Sequence, residues 1–172
     1  MKIQFDSKTK TKQATADISG RDGKVTGKAT FTEYSVDDFP YVQIIVDIEG
    51  DPEVLTAGKH AVHIHEKADC SGEFKCAGGH FDPGPAGNSD PDVNHPFHAG
   101  DLPNITVDDK GKGHLEAVTT RVTLSDGPRS ILEPEEGTSL MIHANPDPYK
   151  GGESGSGISG GPRLACGEIH QS

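Results

Sequence analysis

Short runs in which apolar and polar residues alternate recur along the chain, the spacing that sends every second side chain to one face of a strand. Three come early, at Ala14–Ile18, Val25–Tyr34 and Tyr41–Ile48, with Gly/Asp turns between them. Arg21-Asp-Gly-Lys24 carries the strongest hairpin signal among those turns. A fourth run, Lys59–Glu66, follows Gly58; Asn104–Val107, His114–Thr120, Ser139–His143 and Leu164–Ile169 bring the set to about eight, with Asp108-Asp-Lys-Gly111 as a further turn. Two long segments lack any such period. Lys67–Leu102 is rich in Gly, Pro, Asp and Asn, and Ala144–Pro162 in Gly and Ser, a composition that alone reads as a flexible linker.

Composition sharpens this picture. With 22 glycines, 12 prolines and no tryptophan in 172 residues, the chain favours turns and short strands over long amphipathic helices. The expectation is one all-β domain over residues 13–172, a Greek-key β-sandwich or flattened barrel, preceded by a loose polar leader at 1–12. No apolar run reaches membrane-spanning length, and Met1–Lys12 has no apolar core of a signal peptide. A formal net charge of −11 favours solubility and argues against nucleic acid and anionic membranes as partners.

The chemistry begins at His60–Glu66, where His63 and His65 alternate in a β-branched run. On a strand both imidazoles leave the same face and make half of a rigid nitrogen site suited to copper or zinc. His60, at an odd spacing from His63, leaves the opposite face and is expected to hydrogen-bond backbone. Further blocks carry His80 in Ala-Gly-Gly-His-Phe-Asp-Pro, His98 and Asp101 in His-Pro-Phe-His-Ala-Gly-Asp-Leu, and His143 in Leu-Met-Ile-His-Ala-Asn-Pro-Asp. Arg163 stands shortly before Cys166 in Pro-Arg-Leu-Ala-Cys-Gly. A loop as long as Lys67–Leu102 inside a compact domain is disordered or functional. Its histidines and cysteines favour the functional, metal-ordered alternative.

From about Thr15 to Ile169 these blocks, in this order, resemble the copper/zinc superoxide dismutase family. The resemblance implies the Greek-key sandwich fold. It implies copper on His63, His65, His80 and His143, and zinc on His80, His98 and Asp101, with His80 bridging the two. The family's remaining zinc histidine commonly sits eight residues after the bridging one, and that position is Asn88. Either His95 supplies the third zinc nitrogen or zinc is weak or absent; Asp101, which a lost site would not need, favours His95. Asp147 matches a carboxylate that ties a copper ligand to a zinc ligand. Arg163 matches the guanidinium that guides the anion, with Lys150 as a further steering charge and Glu153 close enough to blunt it.

Three cysteines leave one over if a disulfide forms. The resemblance pairs Cys70 with Cys166; Cys76 competes for Cys70, contacts a metal or stays a free buried thiol, and its small apolar character favours the last. The implied activity is dismutation of superoxide through Cu(II)/Cu(I) cycling, with His80 handling a proton. The alternative is a copper-binding or copper-storing module on the same fold, which would use the same ligands. Superoxide is the implied partner, and a homodimer is compatible with the resemblance. The compartment stays open, periplasmic or secreted if a signal peptide was removed and cytoplasmic otherwise.

Overall fold

A computed structural model describes residues 8–85 and 87–172. Its strands are β1 (Thr9–Gly20), β2 (Val25–Val36), β3 (Phe39–Gly50), β4 (Gly58–His60), β5 (Val62–His65), β6 (Ile105–Val107), β7 (Lys112–Thr119), β8 (Ser139–His143), β9 (Arg163–Glu168) and β10 (His170–Gln171). Every pairing is antiparallel, in the order β4-β6-β7-β3-β2-β1-β9-β8-β5, with β10 added to β1. The two ends of that path, β4 and β5, are consecutive in sequence and separated only by Ala61. The sheet therefore curls into a flattened, nearly closed barrel.

Period-2 patterning explains the three long strands. Val42, Ile44, Val46 and Ile48 of β3 enter the core beside Val25, Ala29 and Phe31 of β2 and Ala14, Ala16 and Ile18 of β1. Burial of such side chains is the main favourable term, at about 25 cal/mol per Å² of apolar surface. The turns are where the sequence places them: Asp22 and Gly23 take positive φ between β1 and β2, and Gly111 does so after Asp108. At the latter, Asp108 Oδ1 accepts the Lys110 and Lys112 amides at 2.9 Å each.

Three expectations need correction. The run expected as one strand at 59–66 is two, because β4 pairs with β6 while β5 pairs with β8. That change of partner breaks the ladder at Ala61. That split and the short β10 together bring the strand number from about eight to ten. Of the expected leader, residues 1–7 lie outside the described residues, but Thr9–Lys12 already form strand, paired with Glu33–Ser35 of β2.

The connection from β7 to β8 closes one end of the barrel with Val122, Leu124 and Ile131, all fully buried. Glu33, itself 1% exposed, holds it. Its carboxylate accepts the Leu124 and Ser125 amides at 2.7 and 3.0 Å, the Thr11 hydroxyl at 2.7 Å and the Ser125 hydroxyl. Burial would raise the Glu33 pKa; these donors outweigh it and lower it.

Cys70 and Cys166 form the expected disulfide, joining the first long loop to β9 across 96 residues. Closing so long a loop is worth about 4–5 kcal/mol in the chain-entropy model. The double variant Cys70→Ser/Cys166→Ser is therefore expected to melt about 10–15 °C lower. An unchanged melting temperature by calorimetry would refute that role.

Candidate metal centre

The centre is built outward from β5. Val62 and Ile64 enter the core, so His63 and His65 leave by the opposite face. His143 closes the neighbouring β8, whose Met141 pairs with His63. The first long loop then lies along the free side of β5: the Ile64 amide donates to Gly100 O and the Phe81 amide to Ile64 O, each at 2.8 Å. His80 is thereby placed opposite His65, and Asp101 opposite His63. The second long loop covers His143. Gly160 must be glycine there, since its φ is +128° and a Cβ would lie 2.9 Å from His143 Cβ.

His63, His65, His80 and His143 are all buried and bring one ring nitrogen each within 4.8 Å of the others. The second nitrogen of three of these rings is already engaged. His63 Nε2 meets Asp147 Oδ2 at 3.0 Å, His65 Nδ1 meets Gly78 O at 3.0 Å, and His143 Nδ1 meets Gly161 O at 3.0 Å. What remains is His63 Nδ1, His65 Nε2, His80 Nε2 and His143 Nε2, each buried without a hydrogen-bond partner. Orphaned buried nitrogens are costly unless something fills the space between them. Four imidazoles of fixed tautomer are the donor set that suits copper.

A second cluster adjoins the first through His80. Its Nδ1 lies 2.8 Å from Asp101 Oδ1 and 3.3 Å from His98 Nδ1. His98 Nδ1 is 2.9 Å from Asp101 Oδ2, and His95 Nδ1 is 3.2 Å from the same oxygen. Yet His95 Nδ1 and Asp101 Oδ1 lack a properly aligned hydrogen-bond partner. Three nitrogens crowding one carboxylate form an N₃O set of the kind that closes around zinc. His95 comes to this cluster; Asn88 does not, being exposed with its side chain turned to the Asp90 amide at 3.0 Å. Asp147 joins the two clusters, receiving His63 as above and His95 Nε2 at 2.7 and 2.8 Å.

Burial alone lowers the pKa of every histidine in the centre, and neighbouring positive rings lower His65 and His143 further. His80 falls to about 3. His95 goes the other way: burial is outweighed by Asp101 and Asp147, which raise it to about 9. Without metal, the stability that His95 contributes is complete below pH 6.5 and is lost as the pH rises through about 9. Zinc requires neutral imidazole, so zinc uptake at pH 7 is expected to release about one proton per ion from this ring. Release should fade as the pH rises through about 9 and fall in His95→Ala. Zinc uptake with no proton release at pH 7, measured in weak buffer, would contradict it.

A family model described as copper/zinc superoxide dismutase (SODC) matches residues 25–169. The chain belongs to the copper/zinc superoxide dismutase family. Among its relatives, the Cu-Zn superoxide dismutase of Deinococcus radiodurans is 40% identical over 163 residues, spanning 88% of this chain and 81% of its own length. Cu-Zn superoxide dismutase 2 of Aquifex aeolicus is 37% identical over 158 residues, spanning 91% and 86%. Among solved structures, the clock protein EA4 superposes with a TM-score of 0.69 at 30% identity, over 94% of this chain and 95% of that one. The metals of this superoxide dismutase are therefore copper and zinc, and its reaction is the dismutation of superoxide.

Arg163 is half-buried, its guanidinium donating to Phe74 O at 2.5 Å and Gly78 O at 2.6 Å. No carboxylate pairs with it among the described residues. Lys150 and Glu153 are both exposed and form no ion pair with each other among the described residues. His60 bonds backbone only, at His143 O and Thr56 O. The expectation of a buried Cys76 is wrong: the thiol is exposed, because its 3-10 turn turns Ala77 inward instead.

Two supports were missed in reading the sequence. Asn104 grips Asp147 from both sides, accepting its amide at 2.8 Å and donating to its carbonyl at 3.0 Å. Arg121 donates to Pro96 O and His98 O at 3.0 and 3.2 Å. Asn104 lies two residues after Leu102 in the Asp-Leu-Pro-Asn block, a position that could have marked it.

Proposed function

We propose that this superoxide dismutase holds copper on His63 Nδ1 and on the Nε2 atoms of His65, His80 and His143. His80, His95 and His98, with Asp101, would hold zinc, His80 being the residue common to both clusters. The observation carrying this reading is the set of four buried ring nitrogens left without partners while the opposite nitrogen of three rings is tied down. When bound, copper supplies the one-electron couple that oxidises one superoxide to dioxygen and reduces another to hydrogen peroxide; zinc supplies a fixed positive charge.

The chain's own residues do the rest. Asp147 fixes both His63 and His95 in the tautomer that turns Nδ1 to the metals. Gly78 O and Gly161 O do the same for Nε2 of His65 and His143. His80 Nε2, buried and free of any other partner, is the atom at which the chain would hold the proton passed to the peroxide. Arg163 keeps guanidinium donors beyond the two spent on backbone, and these receive the anion.

The zinc assignment departs from the common spacing and is tested directly. His95→Ala, which removes one of the four donors, is expected to lose most bound zinc while copper is retained. Metal analysis showing full zinc occupancy in that variant would remove His95 from the site.

A further inference from the structure

The second long loop has the composition of a flexible linker, yet its middle is fastened to the first long loop by a single buried carboxylate. Asp92 is 4% exposed and pairs with no cation among the described residues. Its Oδ2 accepts the Gly157 amide at 2.9 Å. Its Oδ1 accepts the Ser159 amide and hydroxyl at 3.2 and 3.1 Å. Its carbonyl accepts the Gly152 amide at 2.8 Å, and its own amide donates to Asp90 Oδ1 at 3.0 Å. Ser159 is itself buried, at 3% exposure. A buried carboxylate satisfied only by neutral donors is held in one arrangement, because losing any of them exposes charge to an apolar surrounding.

The residues that follow Ser159 are those that hold a copper ligand. Gly160 packs against the His143 ring, and its carbonyl accepts the Asn145 amide at 3.0 Å. Gly161 O receives His143 Nδ1. On its other side Asp92 stands three residues before His95. We infer that Asp92 is a positioning residue for the copper site. It clamps 157–159, thereby sets Gly160 and Gly161, and so fixes the ring of His143 from the same loop that carries His95. This rests on the assignment of His143 to copper.

The test uses the copper- and zinc-loaded protein with two readouts, hydrogen exchange at 157–161 and the Cu(II) electron paramagnetic resonance spectrum. In Asp92→Ala the Gly157 and Ser159 amides should exchange roughly 10- to 100-fold faster, and the copper spectrum should move toward that of His143→Ala. Asp92→Asn, which keeps one oxygen for Ser159 and folds even if the alanine variant does not, should speed Gly157 alone. Ser154→Ala, which removes only the exposed contact to Asp90, should change neither readout. Retained protection at Gly157 and Ser159 in both Asp92 variants overturns the clamp. Lost protection with an unchanged copper spectrum overturns the positioning of His143. A His143→Ala spectrum identical to wild type would instead remove the copper assignment itself, which keeps the two failures apart.

Discussion

The Arg163→Ala protein is expected to bind copper and zinc normally and to consume superoxide about 10- to 10³-fold more slowly. The chain carries a formal charge of −11, so an anion approaching at random meets repulsion, and a local cation must reverse the field at the centre. Arg163 suits that task because it is pinned. Two carbonyls hold its fork, and one of them, Gly78 O, also receives His65 Nδ1. The guanidinium and the His65 ring thus share one backbone oxygen, which sets their spacing. Burial lowers the pKa of Arg163, though an arginine stays charged throughout the working range. The variant should also show a flatter dependence of rate on ionic strength, since screening acts on the charge that was removed. Stopped-flow decay of superoxide across a salt series measures both. An Arg163→Ala rate equal to wild type would assign steering elsewhere, Lys150 first. A copper-storing module would need no such residue.

Asp147→Ala is expected to weaken both metals together, by about 10- to 100-fold in affinity. The carboxylate touches a candidate copper ligand and a candidate zinc ligand at once, so its loss frees two ring tautomers and leaves two buried Nε2 atoms without an acceptor. Its own pKa lies well below the usual carboxylate range: burial would raise it, and His63 and His95 overcome that. Asp147→Asn retains one acceptor oxygen and should fall between wild type and alanine. Competitive titration with a chelator reads each metal separately. If only one metal weakens, Asp147 serves one site and the coupling drawn through it is wrong.

Much of this was legible from local pattern. Alternation over β1, β2 and β3 gives strands because the period is short and the partners are neighbours in sequence. The copper histidines could be chosen because His63 and His65 share a strand face and the other blocks keep their order. What could not be read depends on contacts between distant residues. The break at Ala61 follows from β4 and β5 choosing different partners. The Gly/Ser-rich loop donates hydrogen bonds to Asp92, more than 60 residues away, and composition alone pointed to a flexible segment. Glu33 left a trace that could have been used. It falls in the inward row of Val25, Ala29 and Phe31, where a carboxylate is out of place unless several donors meet it.

The alternation along Val62–His65 also bears on the fidelity of folding. A strand that slips by one residue sends every side chain to the opposite face. On β5 such a slip would drive two imidazoles into the apolar interior and turn Val62 and Ile64 out among charged groups. Registers that a purely aliphatic strand would tolerate are therefore penalised on both faces simultaneously. The residues selected for chemistry act as a proofreading mark on the pairing of β5 with β8, and a variant that trades His63 and His65 for valine loses that mark along with the metal.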